Sequence, residues 1–232
     1  MIKSNYHTHV YLCKHAEGLP IDYVKKAVAL GYTDIGISDH GPIDRPWQDR
    51  MTLDEFYQIY LPNIDKSIQE YGHKIRVHKG LEMEYYPWMH KHYEMLLQDL
   101  DYMILGQHYI WHHEKEYDIY TKTSKELLHA YKDNVIQAMQ TGYFKILAHP
   151  DLYCFSYLTW DDTCEEVAHA IIQGAIQNNV FLELNANGAR RGVILNEQLE
   201  KTWIYPRLEF WRIVATYKDE RVIINDDAHC IR

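Results

Sequence analysis

Histidine and carboxylate residues recur along this chain at the ends of short apolar runs. His7 and His9 stand in YHTHV with His15 soon after, Asp39 and His40 in SDHG, and Glu82 in GLEMEY. His108 follows in GQHY, His149 in AHPD, Asn185 in ELNAN, and Asp227 with His229 in DDAH. Imidazole and carboxylate together suit borderline or hard divalent ions: imidazole for zinc, iron or manganese, carboxylate to bridge ions and offset their charge. So many donors exceed the needs of one ion and point to a multinuclear site. Alternation along a strand puts His7 and His9 on one face, where both can hold the same ion. Glu82, with two oxygens, is the natural bridge. Glu84 shares its face by the same alternation and competes for that role. The other eight histidines, His73, His78, His90, His92, His112, His113, His129 and His169, fall mostly in or beside helices or in loops and read as surface positions, with a place near the site as the second reading for His112 and His113, soon after the fourth strand.

Those donors need a scaffold that brings strand ends together. Strands are expected at Ile2 to Tyr6, Thr33 to Ser38, Ile75 to Leu81, Tyr102 to Gly106, Phe144 to Ala148, Val180 to Leu184 and Val222 to Asn225, from their apolar, β-branched character. Between them, helical patterns cover Ile21 to Leu30, Leu53 to Glu70, Met89 to Leu100, Lys125 to Thr141, Thr163 to Asn178 and Pro206 to Tyr217. Thr52 with Glu55, and Thr123 with Glu126, read as capping boxes, and Asp162 as an N-cap. Strict strand–helix alternation implies parallel strands joined by right-handed crossovers. No GxGxxG or GxxxxGK[ST] loop follows the first strand, which lowers the nucleotide-binding readings. The alternating order builds either an open doubly wound sheet or a closed barrel; one continuous seven-stranded barrel-like (β/α) domain over residues 1–232 is the economical choice, and active sites of such barrels gather at the C-terminal ends of the strands.

Composition agrees with one globular domain. The chain has 232 residues, 47% of them hydrophobic, and a formal net charge of −9. That acidic balance disfavours broad binding to nucleic acid. No apolar run approaches the roughly 18 residues of a membrane helix, and MIKSNYHTH has no signal-peptide core. The protein is expected to be soluble and cytoplasmic. Cys13, Cys154, Cys164 and Cys230 form no CxxC pair and read as ordinary reduced thiols. The oligomeric state is not legible.

The segments YHTHVYLCKHAEG, GISDHGP, GLEMEYYP, LGQHY, LAHPD, LELNANGARRG and DDAH together resemble the polymerase and histidinol phosphatase (PHP) metal-dependent phosphoesterases, and within them the histidinol-phosphate phosphatases. The resemblance runs along nearly the whole chain. It implies a distorted seven-stranded barrel and three divalent ions: zinc, manganese or iron. It places metal one on His7, His9, Glu82 and Asp227, metal two on Glu82, His108 and His149, and metal three on His15, His40 and His229. His7, His9, Glu82, Asp227 and His229 would serve catalysis, and His40 would also face the substrate. Six residues follow Asp226, where the resemblance leads one to expect a further helix.

The implied reaction is hydrolysis of L-histidinol phosphate to L-histidinol and phosphate in histidine biosynthesis. Paired cations sharing Glu82 would activate water for attack on phosphorus and stabilise the leaving alkoxide. Arg190 and Arg191, in a glycine-bounded loop after the sixth strand, are candidates to grip phosphate oxygens with a guanidinium fork. Two alternatives stand beside this reading: another small phosphomonoester or nucleotide as substrate, and a nuclease module acting on nucleic acid. The acidic charge and the lack of a basic aromatic track weigh against the second.

Overall fold

Short apolar segments give short strands, as the element lengths show. The computed structural model describes residues 2–43, 49–121, 123–196, 199–219 and 221–231. Among them run eleven strands: β1 (Ser4–Asn5), β2 (Asp34–Ile37), β3 (Arg76–Met83), β4 (Tyr102–Leu105), β5 (Tyr109–His112), β6 (Lys115–Asp118), β7 (Ile146–Leu147), β8 (Phe181–Asn185), β9 (Val193–Leu195), β10 (Lys201–Trp203) and β11 (Val222–Asn225). Seven form one parallel sheet in the order β1-β2-β3-β4-β7-β8-β11, the seven expected from the sequence. A parallel bridge between Thr8 and Ala228 joins the chain beyond β1 to the chain beyond β11, as a (β/α)7 barrel sheet requires. The remaining four pair as two antiparallel ribbons, β5 with β6 and β9 with β10, which the alternating pattern did not foretell.

The helices are α1 (Pro20–Ala29), α2 (Leu53–Glu55), α3 (Leu61–Tyr71), α4 (His90–Leu96), α5 (Lys125–Gln140), α6 (Asp162–Asn178), α7 (Ala186–Arg190) and α8 (Leu208–Val214). The Thr52/Glu55 capping box forms as expected, with Thr52 Oγ1 accepting from Glu55 N at 3.1 Å and Glu55 Oε2 from Thr52 N at 2.7 Å. Two caps move by one residue. Ser124, not Thr123, caps α5, and Asp161, not Asp162, caps α6 by accepting from Thr163 N and Cys164 N. The expected single helix from Leu53 to Glu70 contains a π-helical turn at Phe56–Tyr60. Pro62, in the first turn of α3, has no N–H to return to the preceding turn, a usual reason for the helical ladder to shift there.

That turn aims Tyr60 inward, where it is fully buried. Its hydroxyl donates to Gly80 O at 2.8 Å and accepts from Asp39 N at 3.2 Å, so a helix irregularity sets the backbone of a site-bearing loop. Tyr102 plays a similar part below. Its hydroxyl donates to Tyr6 O at 2.6 Å, and its ring leaves no room beside Gly36 and Gly80, where a Cβ would lie 1.9 and 2.3 Å from Tyr102 atoms.

By packing, the chain falls into two compact units. The first comprises Met1–Met83, His92–Ile104 and Ile224–Arg232; the second comprises Glu84–Lys91 and Leu105–Ile223. The first has α1 and α3 against its strands, with Val24, Ala27, Phe56 and Ile64 buried. The second is built around α5 and α6, with Leu128, Val135, Met139, Ile171 and Ile172 fully buried. No described helix is long and apolar enough to cross a membrane.

Candidate metal centre

In the first unit, two sequence-distant segments are laced together before any metal is considered. Ala228 N donates to His7 O at 3.3 Å and His9 N to Ala228 O at 2.9 Å, while Asn5 Oδ1 accepts from Asp226 N at 2.8 Å. This lacing carries Asp227, in the left-handed region at φ 47°, to the two histidines; aspartate tolerates that conformation better than most residues. Glu82 arrives from β3, whose end pairs with His40 through a parallel bridge.

Four donor atoms then converge. His7 Nε2 lies 3.1 Å from His9 Nε2, 3.4 Å from Glu82 Oε2 and 3.7 Å from Asp227 Oδ1. His9 Nε2 lies 3.4 Å from the same glutamate oxygen and 3.2 Å from the same aspartate oxygen. A tetrahedral ion with N and O ligands at about 2.0–2.2 Å has donor–donor edges of roughly 3.3–3.6 Å. The observed spacings straddle that edge, and all four residues are buried. Two imidazoles and two carboxylates in such an arrangement can hold a divalent ion.

His40 Nδ1 stands 3.0 Å from Glu82 Oε2, and the His9, His40 and His229 ring nitrogens gather within ligand reach of one another. The His9 and His229 rings stack with centroids 4.0 Å apart. The His15 ring lies 5.2 Å from that of His40 and 5.0 Å from that of His229. Its Nδ1 is 2.8 Å from Cys13 O, which sets Nδ1 as the donor and Nε2 as the nitrogen with a lone pair.

Electrostatics follow from this crowding. Burial opposes the charged form of His9, but hydrogen bonds with Asp227, Asp39 and Cys13 outweigh it and raise its pKa well above 6.5. Burial likewise opposes ionisation of Asp227, yet the neighbouring His7, His9 and His229 hold it far below the usual carboxylate range. Burial and the nearby His9 push His229 down to about 4, so this imidazole is neutral near neutral pH. An ionised Asp227 beside these imidazoles suits a cation.

Asp39 is the residue the sequence reading noticed without assigning. Fully buried, it faces His9 Nδ1 at 3.2 Å with Oδ1 and accepts from His40 N at 2.8 Å and Cys13 N at 3.1 Å. Its place beyond Nδ1 leaves His9 Nε2 for metal, the orientation that outer carboxylates impose on ligating histidines.

His108 and His149 belong to the second unit, their ring centroids 5.0 Å apart. Glu84, which competed with Glu82 for the bridging role, has another job. Its Oε1 is 2.7 Å from His108 Nδ1, and its Oε2 accepts from His108 N at 2.8 Å and Tyr109 N at 3.3 Å. Glu183 Oε2 accepts from His149 N at 3.2 Å and from Asn185 Nδ2 at 2.9 Å. Asn185, placed by sequence at the end of the sixth strand, is the N-cap of α7, accepting from Gly188 N at 3.0 Å. Nothing in the local sequence marks Asp39, Glu84 and Glu183 as orienting groups. A buried carboxylate next to a strand-end histidine was the available signal.

Arg190 and Arg191 were expected in a loop; Arg190 instead ends α7 and Arg191 caps it. Both are exposed, and the Arg191 guanidinium sits 5.8 Å over the Tyr205 ring. His112 and His113 lie at the turn between β5 and β6, apart from the first unit's donors in sequence and with His113 strongly exposed.

The chain is similar to known proteins. The chain is 30% identical over 199 residues to the "Probable histidinol-phosphatase" of Deinococcus radiodurans, covering 81% of this chain and 74% of that one. Its fold is similar to the crystal structure of the hisK protein of Listeria monocytogenes, with a TM-score of 0.73, 16% identity, and coverage of 99% of this chain and 96% of that one. The histidinol phosphate phosphatase of Lactococcus lactis, solved with zinc, L-histidinol and phosphate, follows at a TM-score of 0.71, 19% identity and coverage of 99% and 87%. The family model of the PHP domain matches residues 5–187, the stretch that carries His7 through Asn185, and by that match the chain belongs to the PHP-domain family.

Proposed function

We propose that this protein is a metal-dependent phosphomonoesterase that hydrolyses L-histidinol phosphate to L-histidinol and phosphate, the step its sequence motifs imply in histidine biosynthesis. The observation that carries the reading is the convergence of His7 Nε2, His9 Nε2, Glu82 Oε2 and Asp227 Oδ1 at 3.1–3.7 Å in a chain of this family. The named relatives from Deinococcus radiodurans and Lactococcus lactis support the substrate.

In this reading metal one is held by His7, His9, Glu82 and Asp227, metal two by Glu82, His108 and His149, and metal three by His15, His40 and His229. Zinc, manganese or iron suits these donors. When bound, such ions supply Lewis acidity toward water and the phosphoryl oxygens, and charge to stabilise the departing alkoxide. The protein's own groups do the rest. Asp39 and Glu84 hold the His9 and His108 tautomers with Nε2 lone pairs outward. Glu82 presents Oε2 to His7, His9 and His40. Arg190 or Arg191 grips the phosphate, and His40, beside Glu82, borders the substrate.

The test is phosphate release from histidinol phosphate beside unrelated phosphomonoesters, nucleotides and single-stranded DNA, with metal content measured on the same preparation. Histidinol phosphate should be preferred by kcat/KM, and three equivalents of divalent ion should be found. Preference for another phosphomonoester would move the substrate and keep the chemistry, and cleavage of DNA alone would overturn the phosphatase reading.

A further inference from the structure

Besides His108 and His149, the second unit carries a further histidine pair. The β5–β6 hairpin turns through His113 and Glu114, whose φ values of 48° and 59° are both left-handed. Two-residue turns of this kind normally use Asn-Gly or Asp-Gly, because side chains with a Cβ are strained there by about 1 kcal/mol or more each. The geometry lays the His113 ring 3.9 Å from that of His112. Across from them Glu126, in the first turn of α5, presents Oε1 at 2.8 Å from His112 Nε2 and 3.6 Å from His113 Nε2. Those distances bracket the roughly 3.3 Å edge of a tetrahedral site with N and O ligands.

Both sides of the cluster are anchored. Trp111 N donates to Asn134 Oδ1 at 2.7 Å and Asn134 Nδ2 to Trp111 O at 3.1 Å, tying β5 to α5 one residue before His112. Ser124 caps α5 two residues before Glu126, accepting from Leu127 N at 3.3 Å. The donors are thus preorganised, and their exposure leaves room for water as a fourth ligand.

We propose that His112, His113 and Glu126 form a separate surface site for a borderline divalent cation of the zinc, nickel or copper class, clasping the hairpin tip to α5. Two neutral imidazoles and a carboxylate select this class over magnesium or calcium, which prefer all-oxygen shells. Because Ile119 N donates to His108 O at 3.0 Å, the hairpin starts and returns at His108, and an ion at its tip stiffens the strip that carries this histidine.

The test counts metal. Protein dialysed to saturation in zinc is analysed for equivalents per chain and then titrated calorimetrically with zinc, for the parent, H113N, H112Q/H113N and E126Q. Asn is chosen at position 113 because it tolerates the left-handed backbone. Each variant should bind one equivalent fewer than the parent. Alternatively it should bind that equivalent more weakly by at least the roughly 10–100-fold that loss of a mere outer-shell partner costs. Magnesium should not compete. Unchanged equivalents and affinity in H112Q/H113N would overturn the site. Should that variant not fold, the exposed E126Q decides alone on the same readout. The result is independent of which phosphate ester the protein hydrolyses.

Discussion

Replacing Glu84 by glutamine isolates the orienting carboxylate from the metal-bridging one. In the parent, three N–H donors converge on Glu84: His108 Nδ1 at 2.7 Å, His108 N at 2.8 Å and Tyr109 N at 3.3 Å, with the carboxylate fully buried. A carboxylate accepts all three, but an amide presents one oxygen and one NH2. If the amide oxygen faces Nδ1, its NH2 meets the two backbone N–H groups; if it faces the backbone, the NH2 meets the ring. In the first case buried backbone donors lose their acceptor, at a cost of about 1–3 kcal/mol; in the second the ring must carry its proton on Nε2 so that Nδ1 can accept, the wrong tautomer for a ligand at Nε2. For a chain of this length such a cost lowers Tm by roughly 2–4 °C per kcal/mol. The ring also loses the partner that fixes its tautomer, which should weaken metal binding at His108 by about 10–100-fold. The assay is phosphate release across a metal titration, paired with thermal unfolding. Activity should fall at limiting metal and recover with excess metal, whereas Glu82→Gln should lose most activity at every concentration. A Glu84→Gln protein with the parent's metal dependence and Tm would refute the orienting role.

Further expectations concern charge, packing and substrate. Burial alone would raise the Asp161 carboxyl, but Lys125, Tyr157 and the Cys164 N–H outweigh it and hold its pKa at about 2. That is below the roughly 3.9 of an unfolded chain, so the stabilisation is present above pH 4 and lost as pH falls toward 2. Asp161→Ala should therefore cost about 1–2 kcal/mol at pH 7, a lost cap plus a solvent-screened ion pair, and its gap from the parent in urea unfolding should close toward pH 2. Gly36→Ala places a Cβ 1.9 Å from Tyr102 Oη; overpacking of this kind costs about 1–3 kcal/mol, visible as a lower Tm, and an unchanged Tm would show that Tyr102 moves freely. The Arg190→Ala/Arg191→Ala double variant should raise KM or lower kcat/KM with metal content intact, and parent-like kinetics would make these arginines a surface feature. Phosphatase activity should fall as pH drops below about 6.5, where protons compete with metal for imidazole; full metal content at pH 4 with no activity would assign the loss to another group.

Much of this protein is legible in one dimension because its donors occupy fixed places in a repeated unit. Each strand of a parallel sheet ends at the same rim, so a histidine after β1 or an aspartate after β11 is located as soon as the strand is. Strand number and sheet class follow from the same alternation. Even the HxH pair needs only the period of a strand. What the sequence could not supply is any relation that depends on which side-chain atom reaches which. Asp39, Glu84 and Glu183 are ordinary carboxylates until the strands are packed and an oxygen falls beside a ring nitrogen or a backbone N–H. Alternation puts Glu82 and Glu84 on one face, and only the folded contacts separate the residue beside His7, His9 and His40 from the one that faces His108. The π-helical turn at Phe56–Tyr60 escapes the pattern because helical spacing survives it, and its consequence, Tyr60 under Asp39, is a contact over 21 residues. The β5–β6 hairpin escapes because its turn uses His113 and Glu114 where glycine or asparagine would announce it. Sequence determined the seven strands of the main sheet and the donor-type residues at their ends, since those depend on local periodicity. Tertiary structure decided the partners of each donor, since hydrogen bonding and burial are set by distances between segments far apart in the chain.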